Sequence, residues 1–167
     1  LLEDPDTGWR QGYGQLILCT GARERLLPFP GWTLPGVTGA GGLQALIKGG
    51  MPVRGERIVI AGSGPLLLAV AASAQAAGAQ VLRVAEQVPL QSVLRFGAGL
   101  LRWPAKVLQA ATLAMPHYRT SSHVVAVQGE GRVESVQLRQ GGKTFTLDCD
   151  RVACGYGLIP NTQLGQA

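Results

Sequence analysis

The feature that most constrains this sequence is a strand–turn–helix–strand unit in its middle. The segment 57–61, which is apolar after Arg57, predicts a buried strand. The glycine turn at 62–64 follows, and the Ala- and Leu-rich segment 65–77 predicts a helix with proline at its first position. A second apolar strand at 81–85 ends at Glu86. This order predicts two parallel strands joined by a crossover helix, and therefore an α/β fold.

The glycine turn of this unit has the spacing of a dinucleotide-binding motif. Gly62 permits the tight turn, Gly64 lets the backbone approach a pyrophosphate, and the helix that begins at Pro65 presents free N–H groups. Glu86, 24 positions after Gly62, is the acidic residue expected to bind the ribose hydroxyls. The motif departs at Leu67, where Gly or Ala is usual, and a turn that binds nothing is the alternative. The predicted nucleotide-binding residues are Gly62, Ser63, Gly64, Pro65, Leu66 and Glu86.

Short apolar segments after this unit predict further strands. The segments 123–127, 133–138 and 144–147 are separated by glycine turns, which predicts a three-stranded antiparallel meander. The apolar segment 151–154 predicts a strand that delivers a glycine-containing loop up to Asn161. Near the N-terminus, the apolar run 16–20 predicts another strand buried on both faces.

Two regions outside the strands have helical character. Thr38 is predicted to cap a helix that runs to about Lys48 and ends at two glycines. The segment 91–114 predicts two helical stretches joined at Trp103-Pro104, because proline lacks the backbone donor that a helix interior needs.

Composition excludes several classes of protein. The 167 residues are 46% hydrophobic and 15% charged, which is typical of a packed globular chain. The net charge of +5 is scattered and forms no basic run, so we expect no nucleic-acid partner. The most apolar stretch, 66–79, is shorter than the roughly 20 residues of a membrane span, so we expect no membrane insertion. Three cysteines are too few for a secreted disulfide framework, which favours a reducing cytoplasm.

Three segments together resemble a known family. They are the strand end Thr20-Gly21-Ala22, the glycine turn 62–67, and the strand at 151–154 with its loop to Thr162. In this combination the chain resembles the pyridine nucleotide–disulfide oxidoreductase superfamily, whose members are flavoproteins with two dinucleotide-binding domains. It is similar to the branch of hydrogen cyanide synthase, opine oxidase and dye-linked proline dehydrogenase subunits and sarcosine oxidase alpha chains. The segments that carry this narrower similarity are 21–25, 28–32, 34–37 and 62–69.

The resemblance implies a Rossmann-like nucleotide-binding domain, with a parallel sheet and the antiparallel meander, flanked by partial flavin-domain segments. The implied limits are 1–36 for a partial FAD-domain segment and connector, 37–150 for the NAD(P)-type domain, and 151–167 for the return to the FAD domain. The family's N-terminal flavin-binding glycine motif is absent from the sequence, so the FAD site is expected to be incomplete in this chain. Leu158 replaces the usual Arg of the return loop. The residues expected to approach FAD are Thr20, Gly21 and Ala22, and Gly157 is a further cofactor-binding candidate.

The resemblance also implies a function. It indicates part of an FAD-dependent oxidoreductase that oxidises an amine or amino-acid-type substrate and works with the missing flavin-domain segments and other subunits. The chain alone is expected to be inactive, and no catalytic residue or metal ligand is assigned. Cys149 and Cys154 are interpreted as buried, inert thiols, which disfavours disulfide reduction. A non-catalytic ATP- or ADP-binding module and an NAD(P)H-dependent reductase remain open, and Glu86 would favour NADH over NADPH.

Overall fold

The structure is a computed structural model that describes residues 2–3, 5–100, 102 and 117–166. These residues divide into two compact units, Glu24–Leu158 and the pair of segments Leu1–Arg23 and Ile159–Ala167. In chain order the strands are β1 Leu2–Glu3, β2 Gly8–Trp9, β3 Ala22–Glu24, β4 Val37–Gly39, β5 Arg57–Gly62, β6 Gln80–Glu86, β7 Tyr118–Arg119, β8 Ser122–Gln128, β9 Ser135–Gln140, β10 Lys143–Asp148, β11 Arg151–Gly155 and β12 Leu158–Pro160. The helices are α1 Ala40–Lys48, α2 Leu66–Ala76, α3 Leu90–Leu100 and α4 Gln163–Gln166.

A five-stranded sheet forms the centre of the larger unit. Its strand order is β4-β11-β5-β6-β7, and every neighbouring pair is parallel. Helix α2 connects β5 to β6, which confirms the predicted crossover unit. Parallel pairing brings the carboxyl ends of β5, β6 and β11 together at one edge of the sheet.

Strand β5 contributes to two separate hydrophobic cores because successive side chains point to opposite faces. Ile58 and Ile60 pack with Leu67 and Val70 of α2 on one face. Val59, on the other face, belongs to the core of the meander. These five side chains are fully buried, and burying each contributes about 1.5–3 kcal/mol. Burial on both faces is the reason why the sequence of β5 is a continuous apolar run.

The antiparallel meander has the strand order β10-β9-β8 and confirms the prediction made from the three apolar segments. Val124, Val136 and Leu138 are buried, and they pack in one cluster with Val59 and Val152 of the parallel sheet. On the same side, the Arg83 guanidinium of β6 lies 5.1 Å from the centre of the Phe145 ring. The meander therefore covers one face of the parallel sheet.

Two local predictions are wrong. Thr38 does not cap α1: it lies within β4, its hydroxyl has no hydrogen-bond partner among the described residues, and the helix begins after Gly39. The run 16–20 is not a strand, and Leu16 and Ile17 are 59% and 84% exposed. A strand needs a neighbour to satisfy its backbone groups, and the strand that follows this run, β3, is the one that pairs with β12.

The predicted helices agree with the structure where the structure describes them. Helix α1 ends at Lys48 and is followed by Gly49, as predicted. Helix α3 agrees with the first part of the 91–114 segment, whereas the Trp103-Pro104 junction lies outside the described residues. Among the described residues, no helix combines the length and the apolar character that crossing a bilayer demands.

The larger compact unit extends beyond the predicted central domain 37–150 at both ends. Phe29 and Leu34 of the connector pack against the meander core, which ties this segment to the unit. Strand β11 begins at Arg151 and lies between β4 and β5 in the middle of the sheet. The strand predicted to return to the flavin domain is therefore an integral part of this sheet.

Candidate nucleotide-binding site

The two glycines of the turn between β5 and α2 have different structural roles. A Cβ atom at Gly62 would overlap the carbonyl group of Gly155 in β11, so no larger residue fits at this position. Gly64 has a φ angle of +98°, and a Cβ atom there would have no heavy atom within 4 Å. Gly62 is therefore required by the packing of two strand ends, whereas Gly64 presents an open backbone surface.

The backbone donors of this turn are partly used by the protein itself. The Ser63 N–H donates to the Gly155 carbonyl at 2.8 Å, and the Gly64 N–H donates to the Glu86 carboxylate at 2.9 Å. Pro65 has no N–H, and the Leu66 N–H makes no hydrogen bond within the described residues. The N-terminus of α2 therefore keeps a free donor at Leu66, beside the open face of Gly64.

Glu86 lies at the end of β6, next to the glycine turn, as the sequence indicated. Its side chain is only 1% exposed. One carboxylate oxygen accepts hydrogen bonds from the Gly64 N–H and, at 3.2 Å, from the Tyr118 hydroxyl. The other oxygen accepts from the Val88 N–H at 3.2 Å. The ribose contact expected of Glu86 stays a prediction.

The departure at Leu67 is accommodated by small residues on the opposite side. Leu67 is fully buried, and its Cδ2 atom lies 3.3 Å from the position that a Cβ atom of Gly155 would occupy. The Cβ atom of Ala40 lies 2.9 Å from the same position. The absence of a side chain at Gly155 thus provides the close approach of helix and strand that the motif usually obtains from a small residue on the helix.

The N-terminus of α1 is a second place where helix donors meet a carboxylate. Glu24 accepts hydrogen bonds from the Gly41 N–H at 2.8 Å and the Gly42 N–H at 3.1 Å. A Cβ atom at Gly39 would overlap the Glu24 carboxylate. The sequence analysis missed this cap because Glu24 precedes Gly41 by 17 positions; the run of small residues at 39–42 was the signal.

The smaller unit brings together Thr20, Gly21 and Asn161. The Thr20 hydroxyl donates to the Asn161 carbonyl, and the Asn161 side-chain amide donates back to the Thr20 carbonyl at 2.9 Å. The Asn161 N–H donates to the Gly21 carbonyl at 3.0 Å. Sequence reasoning did not select Asn161 as a site residue. A cavity of about 490 Å³ is lined by Leu18, Cys19, Thr20, Gly21, Pro160, Asn161, Thr162, Gly165 and Gln166.

The other predicted cofactor residues lie on strands or loops with accessible backbone. Ala22 is the first residue of β3 and is exposed. Gly157, in the larger unit, has a φ angle of +120°, and its carbonyl accepts the Arg25 N–H at 2.9 Å. Leu158, at the position of the family's usual Arg, is 58% exposed and begins β12.

The cysteines are free thiols. Cys149 and Cys154 are buried, and burial raises the pKa of each thiol to about 12. A thiol with such a pKa stays protonated at neutral pH and is a poor nucleophile. Within the described residues, no group of three or more His, Cys, Asp or Glu side chains has the proximity required for a metal ion.

Solved structures and sequence relatives are similar to nearly the whole chain. The ferredoxin reductase for the CYP199A2 system from Rhodopseudomonas palustris is 27% identical with a TM-score of 0.60, and the match covers 92% of this chain and 37% of that one. A thioredoxin reductase from T. acidophilum shares the fold with a TM-score of 0.60 at 21% identity, over 86% of this chain and 44% of that one.

Among sequence relatives, the hydrogen cyanide synthase subunit HcnB of Pseudomonas protegens is 36% identical over 99% of this chain and 38% of its own length. An opine oxidase subunit of Rhizobium meliloti is 35% identical over 91% of this chain and 30% of its own length. The chain thus spans 30–38% of the length of these two relatives. The family model for pyridine nucleotide-disulphide oxidoreductases matches residues 2–167, and the chain belongs to this family of flavoprotein oxidoreductases.

Proposed function

We propose that this chain supplies the second nucleotide-binding domain of an FAD-dependent oxidoreductase and binds an adenine nucleotide at the glycine turn before α2. The observation that carries the proposal is the free Leu66 N–H beside the open face of Gly64. A phosphate oxygen can accept a hydrogen bond from this N–H and contact the Gly64 backbone at van der Waals distance. The predicted residues Gly62, Ser63 and Pro65 hold the turn around that position.

The electrostatics of α2 support a phosphate at this end. The helix has eleven residues and no acidic residue in its first turn, so its dipole places partial positive charge at the free donor. Glu86 supplies the only carboxylate that contacts the turn among the described residues, and it already accepts hydrogen bonds from the protein's own donors Gly64, Val88 and Tyr118.

The smaller unit offers only part of the binding surface that a flavin needs, because the N-terminal flavin-binding glycine motif is absent from the sequence. Thr20 and Gly21 line the cavity of the smaller unit, and the exposed Ala22 follows them in the chain. Gly157 offers a further glycine backbone in the larger unit. When bound, FAD accepts a hydride from the substrate. We assign these residues to FAD binding, and assign no proton transfer or nucleophilic step to this chain.

The substrate proposal depends on the relatives. The opine oxidase and hydrogen cyanide synthase relatives are subunits by name, and the alpha subunit of sarcosine oxidase from Rhizobium meliloti is 26% identical over 91% of this chain. These relatives support a complex with further subunits that oxidises an amine or amino-acid-type compound. We propose that this complex is cytoplasmic. Rhodocoxin reductase of Rhodococcus erythropolis, 33% identical over 91% of this chain, instead supports an NAD(P)H-dependent reductase.

Calorimetric titration of the full chain with NADH, NADPH, ATP and ADP tests the nucleotide proposal. We expect Gly64→Ala to weaken binding at least about tenfold, because the added Cβ strains the turn and occupies the phosphate side. Gly50→Ala is the matched control: Gly50 has a φ angle of +95° and open space around it, but lies away from the turn. Gly50→Ala should destabilise the protein about as much as Gly64→Ala and should leave nucleotide affinity unchanged.

The pattern of binding separates the candidate functions. Binding of ATP and ADP without any gain from nicotinamide supports the non-catalytic module, whereas tighter binding of NADH or NADPH supports the reductase. If no adenine nucleotide binds, or if Gly50→Ala weakens binding as much as Gly64→Ala, the proposed site is wrong. Absence of flavin from a purified longer protein that carries this chain together with the flavin-domain segments would remove the FAD assignment.

A further inference from the structure

The Glu86 carboxylate is nearly enclosed by groups of its own chain. Its side chain is 1% exposed, and among the described residues it accepts hydrogen bonds from three places: the Gly64 N–H of the turn, the Val88 N–H after β6, and the Tyr118 hydroxyl of β7. A buried carboxylate is stable only when such donors compensate its lost hydration. The three bonds therefore account for why an acidic side chain is tolerated here.

The acceptor capacity of this carboxylate is almost used up. Two carboxylate oxygens offer about four acceptor positions, and donors of the described residues fill three of them. A ribose that donated both its hydroxyls would need two positions and an open approach to the side chain. The 1% exposure of Glu86 provides no such approach.

Tyr118 is well suited to hold the carboxylate in this orientation. Its hydroxyl lies 3.2 Å from the same oxygen that accepts the Gly64 N–H. Burial, and then the charge and hydrogen bond of Glu86, raise the pKa of Tyr118, so the phenol remains protonated and able to donate at physiological pH. Because β7 lies beside β6 in the sheet, Tyr118 is fixed relative to Glu86 by backbone pairing.

We propose that Glu86 is a positioning residue, not a ribose ligand: its carboxylate fixes the glycine turn through the Gly64 N–H, and Tyr118 fixes the carboxylate. This inference rests on the proposed nucleotide site and replaces the ribose role predicted from the sequence. It leaves the Leu66 N–H as the donor available to phosphate. It also means that the charge of Glu86 does not choose between a 2′-hydroxyl and a 2′-phosphate coenzyme.

Amide hydrogen exchange measured by NMR on the full chain tests the anchor without any ligand. Glu86→Gln keeps the size of the side chain, but its NH₂ group cannot accept a hydrogen bond. Since Gly64 and Val88 donate to different oxygens, at least one of these two amides should lose protection about tenfold or more. Tyr118→Phe should lower Gly64 protection less, and Tyr156→Phe, which removes the hydroxyl of another partly buried tyrosine, should leave it unchanged.

The ratio of NADH to NADPH affinity separates a positioning role from a ribose contact. We expect both affinities to fall by a similar factor in Glu86→Gln and in Tyr118→Phe, so that the ratio stays within about twofold of the unmodified chain. A shift of tenfold or more toward NADPH in Glu86→Gln would show that the carboxylate meets the ribose and would overturn the inference.

The two proposals fail in different ways. If the unmodified chain binds no adenine nucleotide, the proposed function is wrong, and hydrogen exchange alone decides the role of Glu86. If Gly64 and Val88 keep full protection in both variants, the anchor is wrong whatever the chain binds.

Discussion

Helices α1 and α2 both begin with small residues and a carboxylate nearby, yet the two N-termini are arranged differently. At α1, Glu24 accepts hydrogen bonds from Gly41 and Gly42, which belong to the first turn of the helix itself. At α2, Glu86 accepts from Gly64, which precedes the helix, and the first helical N–H, at Leu66, has no partner in the part of the chain that the structure describes. One helix end is thus closed by the protein, and the other keeps a donor for a ligand.

This difference shows that a glycine-rich helix N-terminus is not by itself an anion site. The N-terminal N–H groups of any helix attract negative charge, and a side chain of the same protein can satisfy them. What distinguishes α2 is the position of its carboxylate, which bonds to the loop before the helix. Glu86 accepts a hydrogen bond from this loop and does not cap the helix, which is why we propose α2 as the helix end that binds phosphate.

The largest difference in stability is expected between two glycine-to-alanine variants, one in the turn before α2 and one just before α1. Gly62→Ala should destabilise the protein by at least about 3 kcal/mol, because the new Cβ meets the rigid backbone of Gly155 and the φ angle of +151° is unfavourable for alanine. Gly39→Ala should cost only about 1 kcal/mol, because the obstacle is the movable Glu24 carboxylate and the φ angle of −66° suits any residue. Urea unfolding at equilibrium measures both.

Gly55→Ala is the control for backbone strain in this experiment, since Gly55 has a φ angle of +78° and no heavy atom near its added Cβ. The loss of unfolding free energy in Gly55→Ala should lie between the losses in Gly39→Ala and Gly62→Ala. Equal losses for Gly62→Ala and Gly39→Ala would show that the glycine turn is no more rigid than the α1 cap.

A smaller effect is expected from removing the α1 cap. Glu24→Ala should lower the free energy of unfolding by about 1 kcal/mol, because Gly41 and Gly42 lose their acceptor. Nucleotide affinity should stay within about twofold of the unmodified chain, since the proposed ligand site lies at α2. Denaturant unfolding and calorimetric titration of one preparation give both values, and a tenfold loss of affinity would mean that the two helix ends are coupled.

Much of this arrangement could be predicted from the sequence because it depends on local patterns. The apolar runs of β5 and β6, the turn at 62–64 and the helix that follows are encoded within about 30 consecutive residues. Burial on both faces of β5 made its run continuous, which is a strong signal. The position of Glu86 at the end of β6 followed from the same pattern.

The contacts of these residues could not be predicted, because they join distant parts of the chain. Tyr118 is 32 positions from Glu86 and meets it only through the pairing of β6 with β7. Thr38 has the residue type of a helix cap, but Glu24 takes that role from 17 positions before Gly41. The run 16–20 has the composition of a strand, and its structure depends on pairing that composition does not specify.

The smallest effect is expected at the opposite end of β5, where Arg57 pairs with Asp150 at 2.8 Å. The side-chain and backbone hydrogen bonds of Arg57 lower the pKa of Asp150 from 3.8 to about 2. A lowered pKa in the folded state means that the stabilisation is present above pH 4 and is lost as the pH falls toward 2. Because the Asp150 side chain is 39% exposed, solvent screening should limit this loss to less than about 1 kcal/mol.

Urea unfolding at pH 5 and pH 3 measures this loss of stability, with Asp150→Asn as the variant in which this part of the acid dependence disappears. Nucleotide affinity should not change in that variant, because the ion pair lies at the other end of the strand from the glycine turn; a change would show that the turn depends on the whole strand and not on its own contacts.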